Sequence, residues 1–269
     1  MTLLVRYGEI GLKGRPIRRQ FENILLGNIH RALSWADIEH RTDRQRGRLY
    51  VDTDDDDAAL AVLQDVFGIV SVSPAIETSA DLPAIASAAA SFASHIPPGE
   101  SFAVRATRTG SHDFTSQDVG VAAGQAVVDT TGAPVDLNVP DGEIGIEVRD
   151  NYAFAFDVSV DGPGGLPYGS QGSTVAVVHD EDDLQAAWLM MRRGCTTTFV
   201  CRPGMEQAIH EQLRWRPADV VTENGDLLSR AETLAVQRNA QGLVTGGEHY
   251  EKRHLPVFYP LLGYREVTR

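Results

Sequence analysis

The period of the hydrophobic positions changes several times along this chain, and each change predicts an element. Residues 3–5 are a short apolar run that reads as a strand, and a glycine-punctuated loop follows over 8–14. Pro16 then stands where a helix tolerates proline best, in its first turn. Ile17, Phe21, Ile24, Leu25, Ile29 and Leu33 fall on one face of an α-helix, with Arg15, Arg18, Arg19 and Arg31 off that stripe. Strand candidates at 38–41 and 48–51, a helix after the acidic run 54–57 and a strand at 69–72 complete the order βαββαβ. That order is the ferredoxin-like plan.

The pattern then restarts. Residues 81–96 are rich in Ala and Ser, with Leu82, Ile85 and Phe92 at helical spacing and Pro97, Pro98 and Gly99 as a stop. A strand at 101–106 and a helical segment at 116–128 follow, then alternating runs at 143–148 and 152–160 around Asp150 and Asn151, which read as a hairpin. Residues 161–173 hold five Gly and two Pro, so no regular element runs through them and they read as a linker. Beyond it, a strand at 174–178, a helix through Met191, a strand at 197–200 and a helix from Gly204 give the alternation of a parallel α/β layer. The expected fold class is α/β and α+β multidomain. It comprises an N-terminal ferredoxin-like domain over 1–57, a second domain over 58–161, a linker over 162–173 and a truncated Rossmann-like α/β domain over 174–269.

Composition narrows the function classes. A chain of 269 residues with 42% hydrophobic content can bury the cores of two or three small domains. No apolar run approaches the roughly eighteen residues of a membrane span, and the opening residues lack a signal-peptide cleavage site, so a cytoplasmic protein with no membrane partner is expected. Cys195 and Cys201 are too few for a disulfide framework and are not spaced like zinc ligands, so they read as buried thiols. The formal charge is -13, and among the 24 basic residues only Lys13 and Lys252 are lysine, a balance that suggests a salt-adapted host.

Overall acidity weighs against a nucleic-acid partner, because Lys and Arg supply most of the affinity for phosphates. The distribution reverses that reading. Residues 1–50 carry ten basic side chains (Arg6, Lys13, Arg15, Arg18, Arg19, Arg31, Arg41, Arg44, Arg46 and Arg48) against five acidic ones. A basic end on an acidic body suits an oriented polyanion; the alternative is that these arginines only balance nearby acids.

Several segments resemble, in order, the tRNA 4-thiouridine synthetase (tRNA sulfurtransferase) family. They are LVRYGEIGLKG at 4–14, VFGIVSVSPA at 66–75, VRATRTGSHDFTS at 104–116, PVDLNVPD at 134–141, IEVRDNYAF at 146–154 and GPGGLPYGSQG at 162–172. The resemblance implies that residues 58–161 are a THUMP domain and that the last domain is of the PP-loop type. It also implies tRNA as partner, with the THUMP module docking on the acceptor end and the third domain activating a uridine with ATP before sulfur insertion. Carried over where the motifs match, the implied RNA-binding residues are Lys13, Arg15, Arg18, Arg19, Arg105, Arg108 and Thr109. Clustered guanidiniums suit phosphate oxygens, and an RNA stem is read mostly by shape and backbone.

The resemblance breaks in the last domain. The family's phosphate-cradling loop Ser-Gly-Gly-x-Asp-Ser corresponds here to Val178, His179, Asp180, Glu181, Asp182 and Asp183, of which only Asp182 matches. Four successive carboxylates stand where a triphosphate would lie, and at an effective dielectric near 20 each close like-charge contact costs about 4 kcal/mol. The run reads as a solvated loop capping a helix; a Mg²⁺ held by the carboxylates is the alternative that would restore nucleotide affinity. The stretch TENGDLLSR at 222–230, which corresponds to the position of the family's sulfur-carrying cysteine, has no Cys. His249 and His254 lie in a contracted segment and read as surface residues.

The expectation is therefore a tRNA-binding relative of the family without its own catalytic residues, and with no ATP or metal cofactor. Two alternatives stay open. One is an active sulfurtransferase that works with an ATP-using or sulfur-donating partner protein or through a remodelled nucleotide site with ATP and Mg²⁺; the other is an RNA-independent protein-interaction scaffold. Homodimerisation also stays open.

Overall fold

The structure, a computed structural model, describes residues 1–45, 48–247 and 254–262; Arg46, His249 and Lys252 lie outside the described residues. The first six elements are β1 (Thr2–Arg6), α1 (Arg15–Trp35), β2 (His40–Gln45), β3 (Arg48–Thr53), α2 (Asp56–Leu63) and β4 (Ser71–Ser79), the βαββαβ order the pattern predicts. Three details depart from it. Ile17 is 46% exposed rather than on the buried stripe, whereas the polar Glu22 and Asn28 are buried. Burial of these two is offset by hydrogen bonds: the Tyr7 hydroxyl donates to Glu22 and Asn28 Nδ2 donates to the Tyr168 carbonyl at 3.0 Å. The second strand starts at His40, not Ile38, because the helix end continues through a turn in which the Ile38 amide donates to the Leu33 carbonyl.

The predicted strand at 69–72 is displaced to β4 because the chain before it is bound elsewhere. Gly68 donates to the Gly164 carbonyl, Gly162 to Val70 and Gly164 to Ile69. The glycine-rich segment is thus a pinned strap rather than a loose tether. Its other side is held too, since the Leu166 amide donates to the Arg192 carbonyl and Gly169 and Gln171 donate to Gly194. A Cβ on Gly165, where φ is +75°, would lie 2.1 Å from the Arg192 carbonyl oxygen, so only glycine fits the close approach.

The chain separates into two compact units, residues 1–5, 43–56 and 72–160 forming one and 6–42, 57–71 and 161–269 the other. The first is built on an eight-stranded sheet. After β4 come α3 (Leu82–Ala90), β5 (Phe102–Thr109), α4 (Ser116–Thr131), β6 (Gly142–Arg149), β7 (Tyr152–Phe156) and β8 (Val160–Asp161). The strands run in the order β2-β3-β1-β4-β7-β6-β5, with β8 beside β4. α3 and α4 cover one face through Ile85, Ala89, Val119, Ala123, Ile144, Ile146 and Val148, the period-2 positions of β6 meeting the period-3.6 positions of the helices. α3 stops at Ala90 and the predicted helix continues only as a 3-10 turn, Ala93–His95.

The second unit contains a five-stranded parallel sheet. Its elements are β9 (Ser173–Val178), α5 (Glu181–Arg192), β10 (Thr196–Cys201), α6 (Glu206–Gln212), β11 (Asp219–Thr222), α7 (Leu227–Gln237), β12 (Gly242–Val244) and β13 (Val257–Phe258). The order β11-β10-β9-β12-β13 reverses direction between β9 and β12, the crevice where doubly wound sheets bind ligands. Val175, Val177, Val200, Ala231, Leu234 and Leu243 form the core beneath α7.

Candidate functional site

The basic cluster at the start of α1 rests on a short 3-10 turn, Glu9–Leu12, anchored by the fully buried Ile10. Lys13, Arg15 and Arg19 are exposed, and Arg18 is half-buried with its Nε 4.0 Å from Glu22. Gly14 caps the helix without a side chain, so the Arg15 and Ile17 amides of the first turn, where Pro16 has no N–H, receive no side-chain cap beside these cations. Amide dipoles and guanidiniums together favour an anion.

The second predicted group lies on β5, an edge strand. Arg105, Thr107 and Thr109 alternate on the sheet face opposite α3 and α4, and all three are exposed. Arg105 donates to Glu143 at 2.8 Å, an exposed pair that contributes little stability. Arg108 points to the other side and holds the loop after β5. Its Nη1 donates to the Gly110 carbonyl at 3.0 Å and to His112 Nδ1 at 3.2 Å. Because arginine only donates and a carbonyl only accepts, His112 carries its proton on Nε2, which donates to the Asp150 carbonyl at 2.7 Å. The turn between β6 and β7 is thereby stitched to the loop 110–114.

In the parallel sheet, the six residues aligned with the phosphate loop form a strand end, a cap and a helical turn. Val178 is buried at the end of β9. Asp180 is the N-cap of α5, its side chain accepting from the Asp183 amide, while Glu181 and Asp182 are exposed in the first turn. Asp183 turns inward and is 4% exposed. Its Oδ1 accepts from Thr245 Oγ1 at 2.7 Å and from the Gly246 amide at 2.6 Å. Its Oδ2 accepts from the His179 amide at 2.9 Å and from His179 Nδ1 at 3.0 Å. The carboxylate therefore takes up four donors at the switch point between β9 and β12.

Both cysteines are buried and free. Burial pushes the Cys195 thiol up, only partly countered by Arg193, and burial with nearby Glu206 pushes Cys201 up. Neither favours a thiolate.

The ThiI ferredoxin-like domain matches residues 2–73 and the THUMP domain matches residues 79–156. Probable tRNA sulfurtransferases of Methanobrevibacter smithii and Methanosarcina acetivorans are 40% and 42% identical over 72% and 78% of this chain. The chain belongs to the ThiI-like tRNA sulfurtransferase family. It spans about half the length of these curated relatives, 51% and 54%. The Pyrococcus horikoshii protein PH1313 superimposes with a TM-score of 0.84 at 28% identity, covering 99% of this chain and 97% of that one. A 4-thiouridine synthetase solved with RNA and ATP shares the fold, with a TM-score of 0.78 at 21% identity over 99% of this chain and 82% of that one.

Family motifs led to Arg105, Arg108 and Thr109 but not to the residues that support them. Asp150 and His112 each lie inside a matched motif, yet their pairing joins positions 38 residues apart. Thr245 and Gly246, the partners of Asp183, lie 62 and 63 residues from it, and no local spacing links them.

Proposed function

We propose that this chain binds tRNA and that its α/β domain serves as a scaffold without its own ATP-dependent chemistry. The RNA half of the reading is supported by the ferredoxin-like and THUMP matches, by relatives named tRNA sulfurtransferases and by a fold relative solved with RNA. Within each compact unit the RNA-facing residues are Lys13, Arg15, Arg18 and Arg19 on one and Arg105 and Thr109 on the other, with Arg108 on the opposite side of β5 as their support. Arg108 acts by holding the loop 110–114 in shape.

The observation that carries the second half is the burial of Asp183. A phosphate at a switch point is held by backbone amides at a helix N-terminus and by hydroxyls. Here the Gly246 and His179 amides and the Thr245 hydroxyl already donate to one buried carboxylate. A phosphate would have to displace it and then meet Asp180, Glu181 and Asp182. The residues present do not fit ATP in the family's manner.

A second reading rests on the relatives' names: the chain would deliver tRNA to a partner protein that activates the uridine or carries the sulfur. The test measures both ligands on the purified chain, by calorimetry with ATP and Mg²⁺ and by filter binding with total tRNA. Tight tRNA binding without ATP heat supports the proposal. Saturable ATP binding abolished by Asp182→Ala overturns it.

A further inference from the structure

The corner between α1 and β2 carries a pair of side chains that RNA binding does not use. His30, exposed on the last turns of α1, has its Nδ1 2.8 Å from Nε2 of His40, the half-buried first residue of β2. The two rings are tilted by 58°, with centroids 4.9 Å apart. On its other side His40 Nδ1 lies 2.8 Å from the Ile38 carbonyl. A carbonyl only accepts, so His40 carries its proton on Nδ1 and its Nε2 lone pair faces His30. His30 is then the donor within the pair, through Nδ1–H.

The backbone of this corner holds the two rings in place. Asp37 adopts φ +58°, its amide donates to the Ser34 carbonyl at 3.2 Å, and the Ile38 amide donates to the Leu33 carbonyl at 2.9 Å. Two imidazole nitrogens are thus together before any ligand arrives. One of them already has the bond from its other nitrogen to a carbonyl that fixes the tautomer of a metal-binding histidine. At metal–nitrogen distances of about 2.0–2.1 Å, neighbouring ligands of a tetragonal ion lie about 2.9 Å apart and those of a tetrahedral ion about 3.3 Å. The observed 2.8 Å fits the tetragonal case, the geometry of Cu²⁺ and Ni²⁺. Among the described residues no group of three His, Cys, Asp or Glu suits a metal, so water fills the remaining positions. Elsewhere His112 has both ring nitrogens engaged, and His95 and His179 each have Nδ1 on a carboxylate.

We propose that His30 Nδ1 and His40 Nε2 form a two-histidine site for a divalent transition metal, with Cu²⁺ the preferred ion. On binding, the His30 proton passes through solvent from Nδ1 to Nε2, which frees the Nδ1 lone pair. The exposed His30 ring turns until both lone pairs meet at the ion, and His40 keeps its bond to Ile38. The neutral pair releases no net proton, since each imidazole still carries one. Hard ions such as Mg²⁺ take oxygen ligands and are excluded by the donor set. The ion joins the end of α1 to the start of β2, and the site stands whether or not the chain binds RNA.

The test titrates the full, untagged chain with Cu²⁺, Ni²⁺, Zn²⁺ and Mg²⁺ by calorimetry and records the electron paramagnetic resonance spectrum of the Cu²⁺ form. The chain is expected to take up Cu²⁺ about tenfold more tightly than Zn²⁺, to give no heat with Mg²⁺, and to show nitrogen splitting from two imidazoles. His30→Ala, at an exposed position that the fold tolerates, should weaken Cu²⁺ binding by about tenfold and remove one nitrogen from the spectrum. His40→Ala should do the same, and His95→Ala should change neither. Absence of Cu²⁺ binding by the natural chain overturns the site. Binding that survives His30→Ala also overturns it, because the ion is then held elsewhere. Zn²⁺ bound more tightly than Cu²⁺ would sink the tetragonal assignment on which the choice of ion rests.

Discussion

The Asp183 carboxylate accepts a 2.6 Å hydrogen bond from the Gly246 amide, tying the first turn of α5 to the loop that follows β12. In a doubly wound sheet these two elements flank the crevice where ligands bind, and here the Asp183 side chain bridges them. The approach is close on the backbone as well: a Cβ on Gly246 would lie 2.4 Å from the carbonyl carbon of Asp182. Glycine is needed at 246 for the same reason that Asp183 can reach it.

Removing that bridge should be expensive. Asp183→Ala leaves the Gly246 and His179 amides and the Thr245 hydroxyl without their acceptor, and each buried unsatisfied group costs about 1–3 kcal/mol. Water entering the space recovers part of this, so a net loss of about 3 kcal/mol is expected in urea unfolding. Asp182→Ala, at an exposed position of the same turn, should stay within about 0.5 kcal/mol of the natural chain. Equal effects at the two positions would mean that the bridge contributes nothing particular.

Arg105 separates RNA affinity from fold stability. Its bond to Glu143 is between two exposed side chains, so Arg105→Ala should change stability by less than about 1 kcal/mol. If Arg105 meets a phosphate, the same variant should weaken binding to all RNA sequences alike and reduce the slope of log affinity against log salt by about one. Glu143→Gln, which removes the competing carboxylate, should strengthen binding. A salt slope unchanged by Arg105→Ala would assign this residue to the local ion pair alone.

Gly110 tests whether the loop after β5 must hold its shape. Its φ is +105°, and a Cβ there would lie 2.7 Å from Asp150 Oδ1 and 3.2 Å from the Asp150 amide nitrogen. Gly110→Ala should cost about 1–3 kcal/mol of backbone strain. It should also disturb the Arg108–His112–Asp150 chain, lowering RNA affinity although no cation is removed. Retained affinity in a destabilised variant would show that the loop's geometry is irrelevant to binding.

The sequence made some of this legible and hid the rest for physical reasons. The βαββαβ order and the parallel α/β layer follow from hydrophobic period and turn residues, which are local properties. The helix register holds at Phe21, Leu25, Ile29 and Leu33, and Ile17 alone departs to the exposed side because periodicity registers hydrophobicity and not what the helix packs against; the buried Glu22 and Asn28 are paid for by Tyr7 and Tyr168, the latter 140 residues from Asn28. The acidic run at 180–183 was legible as a helix cap, since Asp180 does cap α5. That Asp183 differs from its neighbours in turning inward was not, because its partners come from the end of another strand.

The two thiols give the last prediction. Burial raises Cys195 and Cys201 above the ordinary thiol value, so the fold favours the neutral thiol. The contribution to stability is fully present below the value of an unfolded cysteine and is lost as pH rises toward the raised folded value. At pH 8 the folded chain should therefore react with iodoacetamide far more slowly than a free cysteine, and addition of urea should release both thiols together with unfolding of the parallel sheet, to whose β10 Cys201 belongs and before which Cys195 lies. A sulfur carrier needs the reverse: a thiolate accessible in the native state. Rapid native-state modification of either cysteine, with the other protected, would identify it as reactive and reopen the assignment of sulfur chemistry to this chain.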